Sequence, residues 1–173
     1  MPDVTERYCL RESAGTLSIK PHAYLARQAC WLLLAAIVIA IAALAASGLI
    51  REDIRITIHV LSAYLALHGL YDIIFKANIR YTFDGPANAV FKNSLIHPNK
   101  KIMRLDEALI FITEVTAAWH YALGARKSQF VKSHTISEQF GSGPKSQKRQ
   151  QTYEEHILQK IHILIDMHIP THT

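Results

Sequence analysis

The distribution of apolar residues along the chain is sharply uneven. From Ala29 to Ile50 the sequence reads ACWLLLAAIVIAIAALAASGLI, with no charged residue. At about 1.5 Å of rise per residue this run reaches about 33 Å, enough to cross a hydrocarbon core of about 30 Å. Arg27 and Arg51 bracket it, and Trp31 sits near one end, where an amphipathic ring favours the membrane interface. A short charged turn, Arg51 to Arg55, leads into a second apolar run, Ile56 to Phe75. Two helices joined by so few residues are antiparallel neighbours, so residues 29–75 are expected to form a transmembrane helical hairpin. Ala43-Leu44-Ala45 resembles a signal-peptidase site, but the preceding arm is long for an n-region and the run is long for an h-region.

The hairpin carries small residues at helical spacing. Ala36 and Ala40, Ala42 and Ala46, and Ala43 and Ser47 are each four apart, and Ser62, Ala63, Ala66 and Gly69 share a face of the second helix. Small side chains let helix backbones approach closely in lipid, so Ala36, Ala40, Ser62, Ala66 and Gly69 are the expected packing residues. Thr57, Tyr64, His68, Tyr71 and Asp72 lie opposite. His68 and Asp72 stand at i and i+4, where side chains meet, and Asp72 is also within a turn of Lys76, as expected of a pair near the headgroups.

Residues 76–101 contain two turn signals, Asp84-Gly85-Pro86 and His97-Pro98-Asn99, and carry Lys76, Arg80, Lys92, Lys100 and Lys101 against Asp84. The positive-inside rule places this stretch, and with it the N-terminus, in the cytoplasm. Leu105, Leu109, Ile112, Thr116, Trp119 and Leu123 follow a 4-3 spacing that predicts an amphipathic helix, with a third transmembrane span as the alternative. Glu114 would then lie inside the bilayer, and Arg126, Lys127 and Lys132 would follow on the outside, which disfavours a span. His68, Asp72, Glu114 and His120 are the candidates for intramembrane polar contacts.

Residues 127–152 are rich in Ser, Gln, Lys and Gly, and predict a flexible linker. From Tyr153 helical periodicity resumes, with Ile157, Ile161, Leu164 and His168 in one seam flanked by Leu158 and Ile165, until Pro170 stops it. His156, His162, His168 and His172 are spaced too unevenly to converge on one ion from a single helix.

Composition narrows the picture further. The chain has 173 residues, of which 50% are hydrophobic, and a formal charge of +5. Its basic residues are spread over several loops without interleaved aromatics, so no nucleic-acid partner is expected. Cys9 and Cys30 make neither a disulfide framework nor a zinc site. No catalytic, metal-ligating or cofactor motif stands out, and an enzyme is not expected.

The expected fold is therefore an all-α membrane protein. It comprises an N-terminal cytoplasmic arm (1–28), the transmembrane hairpin (29–75), a basic loop with an amphipathic helix (76–126), a flexible linker (127–152) and a C-terminal amphipathic helix (153–173). The expected role is a small non-enzymatic component of a membrane complex, in a bacterial cytoplasmic membrane. Its partners would be the lipid bilayer and other membrane subunits or a second copy. The alternative is a transport or redox subunit built on the four polar residues.

Overall fold

Arg80-Tyr81-Thr82-Phe83-Asp84 alternates polar and aromatic residues, the period-two pattern of a strand with one buried face. In a computed structural model, which describes residues 4–46, 48–126 and 133–169, that segment is a strand near the middle of a sheet. The chain forms two compact units: residues 24–77 are one, and residues 1–23 together with 78–173 are the other. The hairpin is thus an insertion within a second unit built from both flanks.

That second unit overturns the all-α expectation. Of the described residues, about 48% are helical and 26% lie in nine strands forming two antiparallel sheets. The first sheet has the order β1 (Arg11–Ser13), β2 (Thr16–Ile19), β3 (Arg80–Asp84), β4 (Ala89–Asn93) and β5 (Lys100–Met103). The expected cytoplasmic arm therefore supplies two strands, and the expected basic loop supplies three. β2 and β3 pair directly, with Leu17 opposite Phe83 and Ile19 opposite Tyr81, although the whole hairpin separates them in sequence. The Asp84 turn signal holds: Asp84 Oδ1 accepts the Ala87 amide at 3.0 Å, and Asn88, at φ 43°, offers its own Oδ1 to the Asp106 amide at 3.1 Å.

The second sheet contains β6 (Ala108–Val115), β7 (Ala118–Ala125), β8 (His134–Thr135) and β9 (Phe140–Gly141), with β8 and β9 both on β7. The segment expected to be an amphipathic or spanning helix, Leu105–Leu123, is instead mostly this β6–β7 hairpin. Its β-branched and aromatic run, Ile110-Phe111-Ile112-Thr113, fits a pleated surface better than a helix. The turn is Thr116-Ala117, with both residues at positive φ (47° and 34°) between the paired Val115 and Ala118. Such a turn normally announces itself with Asn-Gly, and here it does not. Positive φ costs an L-residue roughly 1–2 kcal/mol. Replacing Thr116 with Asn and Ala117 with Gly should therefore raise stability by about 1 kcal/mol in a denaturant titration. An unchanged midpoint would count against the turn.

The linker expectation fails as well over residues 133–152, which hold β8, β9 and the helix α4 (Pro144–Tyr153); residues 127–132 lie outside the described residues. Pro144 stands at the first turn of α4, where its missing amide is harmless. The helix continues through a π turn (Glu154–Leu158) into α5 (Gln159–Asp166), so the expected C-terminal helix is present and begins earlier than its apolar seam suggests. Pro170 and His172 lie outside the described residues.

Both sheets and the C-terminal helix share one core. Ile19, Phe83, Val90, Leu123, Phe140, Ile157 and Ile161 are each fully buried there. Tyr153 is central: its hydroxyl donates to the Ile136 carbonyl at 2.9 Å, and its ring lies 5.0 Å from Tyr8, 5.7 Å from Tyr121 and 5.9 Å from Phe140. At the N-terminus, α1 (Val4–Arg7) is tied in by Arg7, whose guanidinium lies 2.5 Å from the buried Glu138 carboxylate.

Burial pushes the Tyr81 phenol up to about 12 and raises that of Tyr153 as well; Tyr121 is raised by burial and by its hydrogen bond to Glu154. Each keeps its proton in the folded chain after the unfolded chain has lost it. Stability is thus intact below about pH 10 and falls as pH rises through the folded pKa values. For Tyr81 the loss approaches about 3 kcal/mol at the alkaline limit. Tyrosinate absorbance should show these phenols titrating together with unfolding; separate titration near the ordinary value would contradict their burial.

The other unit is two long helices, α2 (Ala23–Ala45) and α3 (Glu52–Tyr71), the latter prolonged by a π turn to Ala77. Both are long and apolar enough to cross a membrane. Leu34, Val38, Ile41, Leu44, Val60 and Leu67 are each more than half exposed along them.

Candidate functional site

The contact between α2 and α3 follows a seven-residue repeat. Ala29, Ala36 and Ala43 are the buried residues of α2, and Ser62 and Gly69 those of α3. A seven-residue repeat keeps small side chains on one seam of two gently crossing helices. Four-residue spacing points to Ala36 and Ala43, and the shared helix face to Ser62 and Gly69; the seven-residue repeat adds Ala29. Ser62 Oγ donates to the Ala36 carbonyl at 2.5 Å, satisfying a hydroxyl that lipid could not. Gly69 is required by space: a Cβ there would lie 3.1 Å from the Ala29 carbonyl oxygen and 3.2 Å from Leu33 Cγ. Gly69→Leu should cost about 2 kcal/mol by overpacking, read as a lower melting temperature in detergent, whereas an unchanged melt would mean the helices do not meet there.

Ala40 and Ala66, the other expected packing residues, are only half-buried. With Ala63 and His59 they line a shallow apolar groove beside the seam. The two helices thus leave small side chains only partly covered along this groove.

At the far end of α3 the side chains of His68, Asp72 and Lys76 meet. Asp72 is buried, with Oδ1 2.7 Å from Lys76 Nζ and Oδ2 3.6 Å from His68 Nε2. Lys76 Nζ also lies 5.4 Å from the centre of the Tyr71 ring, and the His68 ring stacks on Tyr64 at 6.1 Å. The closer partner of Asp72 is lysine, one turn on and at the end of the apolar run. The long lysine stem brings its ammonium to the Asp72 carboxylate from one turn further along the helix.

Glu114 and His120 are not part of this cluster. Glu114 is exposed on β6 opposite Trp119, and His120 is half-buried on β7 opposite Thr113, both within the sheet-bearing unit. Burial holds the His120 imidazole below its ordinary value, so it is neutral at physiological pH. Of the four residues considered for an intramembrane site, the structure joins His68 and Asp72 and sets the other two on strands. Among the described residues no three His, Cys, Asp or Glu side chains gather in a way that could hold a metal ion. Both cysteines are exposed and unpaired. Comparison with protein-family models, curated proteins and solved structures yields no match.

Proposed function

We propose that this protein is a membrane-anchored contact module: the hairpin spans the bilayer and holds the sheet-bearing unit at its cytoplasmic face, as a non-enzymatic component of a membrane complex. The observation that carries this is the exposure of the hairpin. Residues such as Val38, Ile41, Leu44, Val60 and Leu67 are more than half exposed, and in water so much uncovered apolar surface on two adjacent helices would drive association. Lipid is the environment in which it costs nothing.

The topology of the sheet-bearing unit supports a single orientation. β2 and β3 pair across the insertion, so the two ends of the hairpin emerge on one side of the bilayer. Lys20, Arg27, Lys76, Arg80 and Lys92 lie close to those ends in sequence, while at the opposite end Arg51 and Arg55 are balanced by Glu52 and Asp53 in the first turn of α3. That asymmetry favours cytoplasmic placement of the basic side. With Leu105–Leu123 largely folded into strands, two helices among the described residues remain long and apolar enough to span.

Two features favour a contact role. One is the small-residue groove of Ala40, His59, Ala63 and Ala66, which suits another transmembrane helix. The other is β6, which among the described residues pairs only with β7 and exposes Leu109, Ile112 and Val115. Uncovered apolar edge strands are uncommon in proteins that work alone. The full chain, extracted from its own membrane in mild detergent, should migrate as a species much larger than one chain with its micelle. Migration as a monomer would overturn the contact role and leave only the anchor.

A further inference from the structure

We propose that the adjoining ends of β2, β3 and β4 form a cleft that binds the phosphate of an anionic lipid headgroup. The cleft, of about 290 Å³, is lined by Lys20, Asn78, Arg80, Asn93 and Ser94, together with two apolar residues of the following turn. Its size is at the small end of ligand clefts, which begin at about 300 Å³, and suits one polar headgroup rather than an extended molecule.

The register brings the two cations together. Ile19 is the last residue of β2 to pair, with Tyr81; continuing that register by one residue sets Lys20 against Arg80, both lining the cleft, and Arg80 pairs on its other side with Asn93. Like charges directly opposite on neighbouring strands destabilise a sheet. Neither cation has an ion-pair partner among the described residues, and no carboxylate lines the cleft. An anion between them converts that repulsion into two charge-assisted contacts.

The neutral side chains are already oriented to donate. Asn93 Oδ1 accepts the Asn99 amide at 2.5 Å, which leaves its NH₂ group as the donor end. Ser94 Oγ accepts the His97 amide at 3.2 Å, which leaves its hydroxyl proton for another acceptor. Two cations and two neutral donors, beside the amide of Asn78 and with no carboxylate, make a lining rich in donors, and its complement is an oxygen-rich anion.

Chain position selects a lipid as the source of the phosphate, and this step rests on the hairpin spanning the membrane. Lys20 precedes Ala23, where α2 begins, by three residues, and Asn78 immediately follows Ala77, where the prolonged α3 ends. An extended residue reaches at most about 3.6 Å, so Lys20 lies within about 11 Å of the start of the first span. That is the depth of the headgroup layer, where the anionic surface concentrates basic groups.

The test uses the full chain purified in neutral detergent, with short-chain phosphatidylglycerol, short-chain phosphatidylcholine and inorganic phosphate as probes. Binding is read by native mass spectrometry and by the shift in melting temperature. One phosphatidylglycerol per chain should be retained, about tenfold more tightly than phosphatidylcholine, and inorganic phosphate alone should give no comparable shift. Lys20→Gln and Arg80→Gln should each weaken retention about tenfold, and Lys20→Arg should preserve it. Without lipid, Lys20→Gln should melt no lower than the parent, because it removes a repulsion. That control separates lost binding from lost folding. Equal retention of both lipids, full retention by the double glutamine variant, or an inorganic phosphate shift matching that of the lipid would each overturn the proposal. Alkaline carbonate extraction reads the hairpin separately. A chain released from membranes refutes the span, whereas one that stays without preferring phosphatidylglycerol refutes only the cleft.

Discussion

Alanine in place of Tyr153 is expected to cost about 4 kcal/mol and to unfold the sheet-bearing unit under mild denaturant. The side chain is fully buried among Tyr8, Tyr121 and Phe140, residues from the N-terminal turn and from both strands of the second sheet that pair beside it. Its removal leaves a large cavity, and it also strips the Ile136 carbonyl of its donor, a loss of about 1–3 kcal/mol for a buried group left unsatisfied. Domains of this size hold together by about 5–15 kcal/mol, so this one change takes a large share. Tyr153→Phe keeps the ring and loses only the hydrogen bond, and should cost about 1 kcal/mol. Denaturant titration followed by near-ultraviolet circular dichroism separates the two variants. Equal midpoints for alanine and the parent would show that the C-terminal helix is not packed on the sheets.

The second large effect concerns the hairpin. Val38 is more than half exposed on α2, well inside the uncharged run. Arginine at the centre of a membrane helix costs about 3 kcal/mol on insertion scales. Val38→Arg should therefore shift much of the chain out of the carbonate-resistant membrane fraction. The same substitution on a water-exposed helix would cost nothing and would improve solubility. The contrast makes fractionation decisive: full retention of the arginine variant would mean that this face of α2 does not meet lipid.

The hairpin was legible in the sequence because length and lack of charge are sufficient to specify it. Ala29 to Ile50 reads as an apolar helix without reference to any other residue, but its bounds were shifted: the helix runs Ala23–Ala45, and residues 52–55 of the expected turn are the first turn of α3. The sheets were not legible, for three physical reasons. Most strands are only three to five residues long, too short for a period to be distinguished. The longest pair, β6 and β7, is joined at Thr116-Ala117 without glycine or asparagine, so 4-3 spacing over Leu105–Leu123 competed without a turn signal to break it. Finally, β2 and β3 are brought together only by the hairpin between them, a non-local pairing that no window of sequence reveals.

The candidate sites divide in the same way. Ser62, Gly69 and Ala36 were found because helix-face periodicity is local, and the contact of Asp72 with His68 and Lys76 followed from i,i+4 spacing. Glu114 and His120 were grouped with them only through the mistaken helix. Lys20 and Arg80 are separated by the entire hairpin and were seen merely as scattered basic residues. Their opposition across β2 and β3 exists only in the folded sheet.

A two-span hairpin fixes the side of the membrane on which each part of the chain lies. Cys9 is exposed in the sheet-bearing unit, and Leu49 is 91% exposed in the turn between the long helices. With Cys30 replaced by alanine, Cys9 alone reports one side, and a further variant with Cys9→Ala and Leu49→Cys reports the other. A membrane-impermeant maleimide applied to intact cells should label the turn variant at once and label Cys9 only after the membrane is permeabilised. Labelling of both from the same side, or of Cys9 alone in intact cells, would contradict a two-span hairpin carrying a cytoplasmic sheet-bearing unit.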